Sequence, residues 1–265
     1  MQLRSSDDPA ENIRVASDLI REARARGADF IATPENTNLM APDGGAKLEQ
    51  SRPEDSDIAL PAFRALAQEL GAWLLIGSLA IKVNDAQTAN RSFLLGPRGT
   101  IVARYDKIHL FDVDLPSGEQ YRESRTVAGG MTAVTADLPW GRLGLSVCYD
   151  LRFPQLYRAL ARDGAFALAI PSAFTETTGK AHWHVLLRAR AIENGAFVIA
   201  PAQGGVHAHG RRTYGHSLMV SPWGEILAEA GTEPGVILAE IDPAECVAAR
   251  GRIPSLGHDR AFAGP

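Results

Sequence analysis

Short apolar runs alternate with helical patterns along the 265 residues, and this alternation restricts the fold more than any other feature. Some apolar runs are paired across a tight turn, as 91–95 and 101–105 are across Gly96-Pro97-Arg98-Gly99, and such pairs predict hairpins. Other runs are separated by a helical segment, as 143–147 and 166–170 are, and these predict helical crossovers. Sheets with both kinds of connection carry helices on their outer faces. We therefore expect an α/β fold.

The predicted elements follow one another without a linker, a low-complexity segment or a block of like charge, so a single domain over residues 1–265 is expected. The first helix has clear end signals, with Asp8 as N-cap, Pro9 at the first helical position and Glu11 closing a capping box. Gly27 ends it. The other predicted helices are 61–70, 154–162 and 181–193. The remaining predicted strands are 29–32, 73–77, 134–138, 196–200, 217–220 and 225–228.

Composition argues against several classes of function. A net charge of −4 gives no reason to expect nucleic acid, and no apolar run approaches the length of a membrane span. The N-terminus lacks a charged start followed by an apolar stretch, so no signal peptide is expected. The two cysteines, Cys148 and Cys246, do not make a disulfide framework, and a reducing cytoplasm is the expected compartment.

Cys148 lies where an apolar run changes abruptly into a polar segment. Gly144-Leu145-Ser146-Val147 precedes it and Tyr149-Asp150-Leu151-Arg152 follows, which predicts a thiol at the tip of a buried strand before a turn into a helix. A nucleophile in that position is held rigidly beside a free backbone N–H that can meet an oxyanion. A cysteine on an apolar strand is more often a core residue, but the polar residues that follow favour a nucleophile. Cys246 lies on a predicted helix without such a setting and is assigned no role.

Two further residues are weak candidates when each is taken alone. Glu35 follows Pro34 at the exit of the apolar strand 30–32, where catalytic groups are often displayed, although a surface glutamate is the commoner reason for such a residue. Lys107 follows a hairpin strand, where a lysine is nearly always a solvated charge. Neither residue identifies a site by itself.

Together, three segments resemble the signatures of the carbon–nitrogen hydrolase (nitrilase) superfamily. They are Pro34-Glu35-Asn36, Tyr105-Asp106-Lys107-Ile108-His109-Leu110 and Gly144-Leu145-Ser146-Val147-Cys148-Tyr149-Asp150, in the order and with the wide spacing of that family. The resemblance covers essentially the whole chain. It implies a four-layer α-β-β-α sandwich, a Glu35–Lys107–Cys148 triad, and homodimers that pair to extend the sandwich into eight layers.

Further segments resemble the amidase branch that contains ω-amidase and deaminated glutathione amidase. These are 111–114, 121–124, 171–175 and 178–183, while 187–193, 202–205 and 214–217 favour the deaminated glutathione enzymes. The resemblance implies hydrolysis of a linear amide in a small carboxylate-bearing substrate through a cysteine thioester, with deaminated glutathione as the first choice. An ω-amidase or an N-carbamoyl amino acid amidohydrolase would use the same triad. A catalytically silent binding protein is the alternative from another class.

The resemblance also implies a role for each residue of the site. Glu35 takes the proton of the Cys148 thiol, passes it to the leaving nitrogen and then activates water. Lys107 and the Tyr149 backbone N–H stabilise the oxyanion. Glu123 resembles the family's second glutamate, which orients the lysine, although a plain buried salt bridge to Lys107 is an equal alternative.

Arg152 is the first candidate for binding a substrate carboxylate, because it stands just after the nucleophile turn. The histidines do not predict a metal site. His182 and His184 are two apart on a predicted helix and point to different faces, and no acidic residue is spaced to complete a site with them or with the pair His207 and His209. No metal or other cofactor is expected, and the expected partners are the amide substrate and water.

The N-terminus departs from the family pattern. The family normally opens with an apolar strand before the first helix, whereas here only Met1-Gln2-Leu3 precedes the polar segment 4–8. The first edge strand is therefore expected to be shortened or missing. Because the triad lies elsewhere, this departure bears on stability more than on chemistry.

Overall fold

The structure is a computed structural model that describes residues 1–116 and 118–264. Its helices are α1 (Pro9–Ala25), α2 (Gly44–Gln50), α3 (Ala59–Leu70), α4 (Pro154–Arg162), α5 (Glu176–Asn194) and α6 (Pro243–Arg252). Its strands are β1 (Phe30–Ala32), β2 (Trp73–Lys82), β3 (Thr88–Leu95), β4 (Ile101–Asp106), β5 (Asp112–Asp114), β6 (Gln120–Arg122), β7 (Val127–Ala128), β8 (Val134–Leu138), β9 (Gly141–Leu145), β10 (Ala165–Ala169), β11 (Phe197–Ala200), β12 (Gly204–Val206), β13 (Arg212–Tyr214), β14 (Leu218–Val220) and β15 (Ile226–Glu229).

Two main sheets are formed from these strands. The first has the order β1-β2-β3-β4, with β7 added beside β3, and the second has the order β15-β14-β11-β10-β9-β8. In the first sheet β1 runs parallel to β2, and the β2–β3 and β3–β4 pairs are antiparallel. In the second sheet β9, β10 and β11 are parallel. At one edge β8 pairs antiparallel with β9, and at the other the β14–β15 hairpin pairs antiparallel with β11. Both hairpins and helical crossovers are present, as the sequence predicted.

Alternation along β2 shows how the layers stack. Leu75 packs in one buried cluster with Leu143 of the second sheet. Its neighbour Leu74 points to the opposite face and packs in another cluster with Ile20 of α1 and Phe63 of α3. On the far side, α4 and α5 contact β10 and β11. The two sheets therefore face each other between two helical layers, and the predicted α-β-β-α sandwich is confirmed.

The first helix forms largely for the predicted reasons. The Asp8 carboxylate accepts hydrogen bonds from the Ala10 and Glu11 N–H groups, and Pro9 occupies the first position. The expected capping box is wrong, because the Glu11 carboxylate pairs with Arg14 and the Asp8 N–H donates to Ser6 Oγ instead. The cap itself is sufficient to start the helix.

Most predicted elements lie within a few residues of the observed ones, and α4 agrees at both ends. Helix α5 begins earlier than expected, at Glu176, because Thr175 caps it. No local sequence pattern predicts α2 or the two short ribbons β5–β6 and β12–β13. Residues of α2, the three residues of β6 and residues 209–211 between β12 and β13 line the cavity described below.

The segment before α1 makes single bridges only. Gln2 pairs with Gly235 and Leu3 with Gln203. The shortened first strand and the single domain over 1–265 stay predictions. Within the described residues, no helix combines the length and apolarity that a membrane crossing requires.

Candidate active site

The nucleophile candidate sits on a sharp backbone turn. Strand β9 ends at Leu145, and a 3₁₀ turn over Cys148–Arg152 then leads towards α4. Cys148 is the first residue of this turn and has φ 51°. Positive φ is unusual for a side-chain-bearing residue and marks a conformation imposed by its surroundings. The Cys148 N–H donates to the Pro171 carbonyl at 2.9 Å. The next N–H, of Tyr149, has no acceptor among the residues the structure describes, so it is available to an oxyanion.

Glu35 is buried at the exit of β1. The segment that carries it fits tightly against β2, because a Cβ on Gly77 would lie 2.0 Å from the Thr33 carbonyl oxygen and 2.5 Å from that of Pro34. Asn36 has φ 57° and its N–H donates to Ser78 Oγ at 2.8 Å. Only glycine fits at position 77, so the close approach of backbone to backbone fixes where Glu35 points.

Lys107 lies between two carboxylates. Its ammonium is 2.9 Å from Glu35 Oε1 and 2.8 Å from Glu123 Oε2, and its side chain is only 2% exposed. Glu123 also accepts a hydrogen bond from the Phe111 N–H at 2.7 Å. A buried charge without partners is very costly, so these two contacts are what allow the ammonium to be buried.

The charges of this cluster set the protonation of the thiol and of its neighbouring carboxylate. Burial favours a neutral Glu35, but the Lys107 charge and hydrogen bonds from Cys148 and Lys107 outweigh it and lower the pKa of Glu35 to about 2. Burial and the negative charge of Glu35 raise the pKa of the Cys148 thiol well above its ordinary value, although Lys107 opposes this. At neutral pH the site therefore holds a thiol beside a carboxylate, which is the arrangement that a general base needs.

The pKa of Lys107 is raised well above its ordinary value, although burial acts in the opposite direction. The negative charges of Glu123 and Glu35 are the reason. The ammonium is therefore charged throughout the working pH range and is a fixed cation, not an acid.

Asn90 is a member of the cluster that the sequence did not reveal. It lies on β3, and its amide nitrogen donates to Glu35 Oε1 at 2.8 Å and to Glu123 Oε1 at 3.3 Å. The Ala173 N–H donates to the other Glu35 oxygen at 2.8 Å. Glu35 is therefore held from three directions, and a carboxylate held in this way is well oriented toward a single reacting atom.

Asp150 joins two of the three signature segments, and the sequence did not predict this role. Its buried carboxylate accepts hydrogen bonds from Tyr105 Oη at 2.6 Å and from the Val147 N–H at 2.9 Å. It also accepts one from the His109 N–H at 3.0 Å. The segment carrying Lys107 and the turn carrying Cys148 are thus tied together by one carboxylate.

A cavity of about 760 Å³ opens beside the thiol. Its size is that of a pocket for a small organic ligand. Residues from the cluster and from the unpredicted elements line it, among them Glu35, Lys47, Lys107, Tyr121, Cys148 and Arg211.

Arg152 is not among the residues that line this cavity. Its guanidinium lies 5.9 Å from the centre of the Tyr149 ring and 5.5 Å from that of Phe174, and it contacts His182 Nδ1 at 3.3 Å. Both rings belong to the cavity wall, so Arg152 stands behind them. Its expected contact with a substrate carboxylate stays a prediction.

The expectation that no acidic residue completes a site with the histidines is wrong. His184 does have an acidic partner, since its Nε2 lies 2.9 Å from Glu229 Oε1, and His216 Nδ1 lies 2.9 Å from the same oxygen. The facing atoms of the three side chains lie within 4.8 Å of one another. None of the three lines the catalytic cavity. The sequence does not indicate this contact, because Glu229 is 45 positions from His184.

Cys246 is free and buried on α6, where its thiol donates to the Gly195 carbonyl at 2.8 Å. This contact joins α6 to the end of α5. The second cysteine has neither a lysine nor a carboxylate bonded to it among the described residues, in contrast to Cys148.

Comparisons with known proteins agree with this geometry. The family model for carbon–nitrogen hydrolase matches residues 1–251. The deaminated glutathione amidase of Synechocystis sp. is 43% identical over 97% of this chain and 96% of its own length. The human deaminated glutathione amidase is 39% identical over 98% of this chain and 80% of its own.

Solved structures show the same fold. The NitFhit protein of C. elegans has a TM-score of 0.90 at 35% identity and covers 98% of this chain, which spans 63% of that longer protein. Nit3 of Saccharomyces cerevisiae, a member of branch 10 of the nitrilase superfamily, has a TM-score of 0.85 at 29% identity, covering 95% of this chain and 91% of its own. The chain belongs to the carbon–nitrogen hydrolase (nitrilase) superfamily and is an amide-hydrolysing enzyme.

Proposed function

We propose that the protein hydrolyses deaminated glutathione, with Cys148 as nucleophile, Glu35 as proton carrier and Lys107 as the cation that stabilises the oxyanion. One observation carries this proposal: a buried thiol faces a buried carboxylate and a buried ammonium at the base of a ligand-sized cavity. Relatives at 39% and 43% identity are named for this substrate.

Formation of the thioester begins with proton transfer. As the Cys148 sulfur attacks the amide carbon, its proton moves to the Glu35 carboxylate. The low pKa of Glu35 keeps it ionised and ready for this step. The step leaves the net charge of the site unchanged, because the negative charge of Glu35 is replaced by one on the substrate oxygen.

The negative charge that develops on the substrate oxygen is stabilised by two groups. The Lys107 ammonium supplies a fixed positive charge, and the unbonded Tyr149 N–H supplies a hydrogen bond. A preorganised donor of this kind contributes about 3–4 kcal/mol to the stabilisation of the transition state.

Collapse of the tetrahedral intermediate breaks the carbon–nitrogen bond. Glu35 returns the proton to the leaving nitrogen, and the amine departs to leave the acyl group on Cys148. Glu35 then takes a proton from water as the oxygen attacks the thioester. The sulfur leaves, recovers the proton from Glu35, and the enzyme is restored.

Glu123 positions the lysine in this proposal. Its two oxygens lie 2.8 and 3.1 Å from the Lys107 ammonium, and the Phe111 N–H fixes one of them. Every step uses only side chains, backbone and water, so the mechanism requires no metal or other cofactor.

The decisive experiment follows the products of the purified enzyme. Hydrolysis of deaminated glutathione gives 2-oxoglutarate and cysteinylglycine, and both can be measured by mass spectrometry. The competing substrates are α-ketoglutaramate for an ω-amidase and N-carbamoyl amino acids for a carbamoylase. Deaminated glutathione should have the highest kcat/KM. A higher value for either competitor would reject the substrate assignment, and no hydrolysis of any of them would reject the function.

We further propose that the enzyme is a homodimer and works in the cytoplasm. Apolar side chains on α5 support an interface, since Val185 is 67% exposed and Ile192 is 52% exposed. The free thiol of Cys148 must stay reduced to act as nucleophile, which favours a reducing compartment. Sedimentation analysis and localisation of a tagged chain test the two points.

A further inference from the structure

The loop between β12 and β13 holds an arginine against the catalytic cavity. Residues 207–211 form this loop, and the His207 N–H donates to the Arg211 carbonyl at 2.8 Å. The His207 ring is buried between the Ser5 carbonyl at 2.8 Å and Thr213 Oγ1 at 2.6 Å. Burial lowers the pKa of His207 to about 4, so the ring is neutral at neutral pH. The backbone of Arg211 is therefore fixed.

The side chain of Arg211 has no partner for its charge. Among the residues that the structure describes, it makes neither a hydrogen bond nor an ion pair, and its Nε is buried without an acceptor. The guanidinium lies 5.7 Å from the centre of the Tyr121 ring. A buried guanidinium N–H without an acceptor is costly, so its retention at a cavity wall points to a ligand that supplies one.

A second cation faces the same cavity from α2. The Lys47 ammonium donates to Asn36 Oδ1 at 2.8 Å, and no carboxylate of the described chain pairs with it. Burial lowers the pKa of Lys47 to about 8; Glu123 raises it, and the charge of Arg211 lowers it. The two cations are thus close enough to repel each other, and an anion near both would relieve that repulsion.

The other basic residues that line the cavity differ from these two, because Arg125 is exposed and the rest have acidic partners. Arg122 is paired with Asp114 at 2.7 Å, and His209 Nε2 lies 2.8 Å from Asp7. Glu119 also lines the cavity and accepts a hydrogen bond from the Tyr121 hydroxyl. Arg211 and Lys47 differ from the paired cations in being directed at the cavity without a carboxylate of their own.

We infer that Arg211 and Lys47 form the subsite that binds a carboxylate of the substrate. The inference rests on the proposed function and assigns to these two residues the task that the sequence suggested for Arg152. A guanidinium can hold a carboxylate through two parallel hydrogen bonds, and an ammonium adds a compact charge. A row of rings leads from the nucleophile to the subsite: Tyr149 lies 5.2 Å from Phe111, which lies 5.0 Å from Tyr121.

Deaminated glutathione offers two carboxylates, one on the 2-oxo acyl half and one on the glycine of the leaving half. Both are the same chemical group, so the subsite accepts either in principle. The glycine carboxamide of the substrate keeps only the acyl carboxylate. Comparing it with the parent acid therefore identifies which end the subsite binds.

The test replaces Arg211 with methionine, which keeps an apolar stem and removes the charge. Arg212→Met is the matched control, because the adjacent arginine is 61% exposed and paired with Glu176 outside the cavity. Alkylation of Cys148 by iodoacetamide is the control reaction. It depends on the catalytic cluster, and the reagent is uncharged and has no carboxylate. Thermal unfolding of both variants checks that the fold is kept.

The expected result is a roughly tenfold to hundredfold fall in kcat/KM for deaminated glutathione in the Arg211 variant, mainly through KM, with the alkylation rate within about twofold of wild type. Lys47→Met should act in the same direction, and Arg212→Met should change neither quantity. If the carboxamide is affected equally, the subsite binds the acyl carboxylate. If only the parent acid is affected, it binds the glycine carboxylate.

Two results overturn the inference while leaving the proposed function intact. One is an unchanged KM for the parent acid in the Arg211 variant. The other is an equal fall in hydrolysis and in alkylation, which would show that Arg211 supports the catalytic cluster and not the substrate. Absence of hydrolysis by the wild-type enzyme is a different outcome, because it rejects the proposed function itself.

Discussion

Replacing Lys107 with methionine tests the electrostatic basis of the proposed mechanism. The substitution removes the ammonium that lies 2.9 Å from Glu35 and 2.8 Å from Glu123 and keeps a side chain of similar length. Loss of one preorganised oxyanion donor lowers kcat by about a hundredfold to a thousandfold. Because this contact strengthens in the transition state, KM should change much less than kcat.

The substitution should lower activity in a second way, because it removes the cation between the two carboxylates. Without the cation, burial and repulsion from the Glu123 carboxylate raise the pKa of Glu35, which is about 2 in the wild type. A protonated Glu35 cannot accept the thiol proton. The activity of the variant should therefore rise with pH over the range in which the wild-type profile is flat.

The same shift has a consequence for stability. A fall in the pKa of Glu35 from 4.5 in a free chain to about 2 in the folded protein is worth about 3 kcal/mol. Since the folded pKa is the lower one, this stabilisation is present above about pH 4.5 and is lost as the pH falls through about 2. In the methionine variant it is missing at neutral pH, and the midpoint of denaturant unfolding should move accordingly.

The measurements are steady-state kcat and KM with deaminated glutathione between about pH 5 and 9, and urea unfolding at neutral pH. Lys180→Met is the matched control, because that lysine is 66% exposed and, among the described residues, pairs only with Glu176 on its own helix. Lys107→Arg should restore little, since a planar fork does not fit a contact shaped for a compact ammonium. A near-normal kcat in Lys107→Met would refute the reasoning and reduce the residue to a structural charge.

Four further predictions follow from the same site. Cys148→Ala should abolish 2-oxoglutarate release while the unfolding midpoint stays close to wild type, and turnover above a few per cent of wild type would exclude Cys148 as nucleophile. Brief iodoacetamide treatment and peptide mapping should label Cys148 much faster than Cys246, because only the first has a carboxylate to take its proton; equal labelling would argue against an activated site. EDTA should leave kcat unchanged, and a loss restored by zinc would overturn the metal-free mechanism. Asp150→Asn should destabilise the fold by about 1–3 kcal/mol and lower kcat, because the Tyr105 hydroxyl and the Val147 N–H lose a buried charged acceptor; unchanged urea unfolding would contradict that role.

Much of the fold could be predicted because its elements carry local signals. The starts of α1 and α4 follow from prolines at their first positions, and the hairpin β3–β4 follows from its glycine-proline turn. Helix α2 could not be predicted in this way, since none of its seven residues is buried and no apolar stripe marks it. Strands β5, β6, β12 and β13 have three residues each, which is too short for a periodic pattern.

The site residues also differ in how far local sequence patterns predict them. The proposed triad of Glu35, Lys107 and Cys148 could be predicted from motifs, whereas the contacts that support it could not. Asn90 lies within a strand whose sequence carries no sign of a function, and its partner Glu35 is 55 positions away. Arg211 adjoins another arginine, and only the structure separates the residue at the cavity from the one in solvent. Contacts between distant segments depend on packing that no local pattern records.

The protonation of the resting site explains how a buried cysteine can be both protected and reactive. With the pKa of the thiol raised and that of Glu35 at about 2, free transfer of the proton from Cys148 to Glu35 is strongly unfavourable. The enzyme without substrate therefore holds a thiol, which oxidises more slowly than a thiolate. In the proposed mechanism, transfer becomes favourable as the sulfur bonds to an electrophilic carbon, and with an amide the negative charge then moves to an oxygen beside Lys107 and the Tyr149 N–H. The proposed mechanism thus makes Cys148 nucleophilic when the substrate binds, without any change in the charges that surround it.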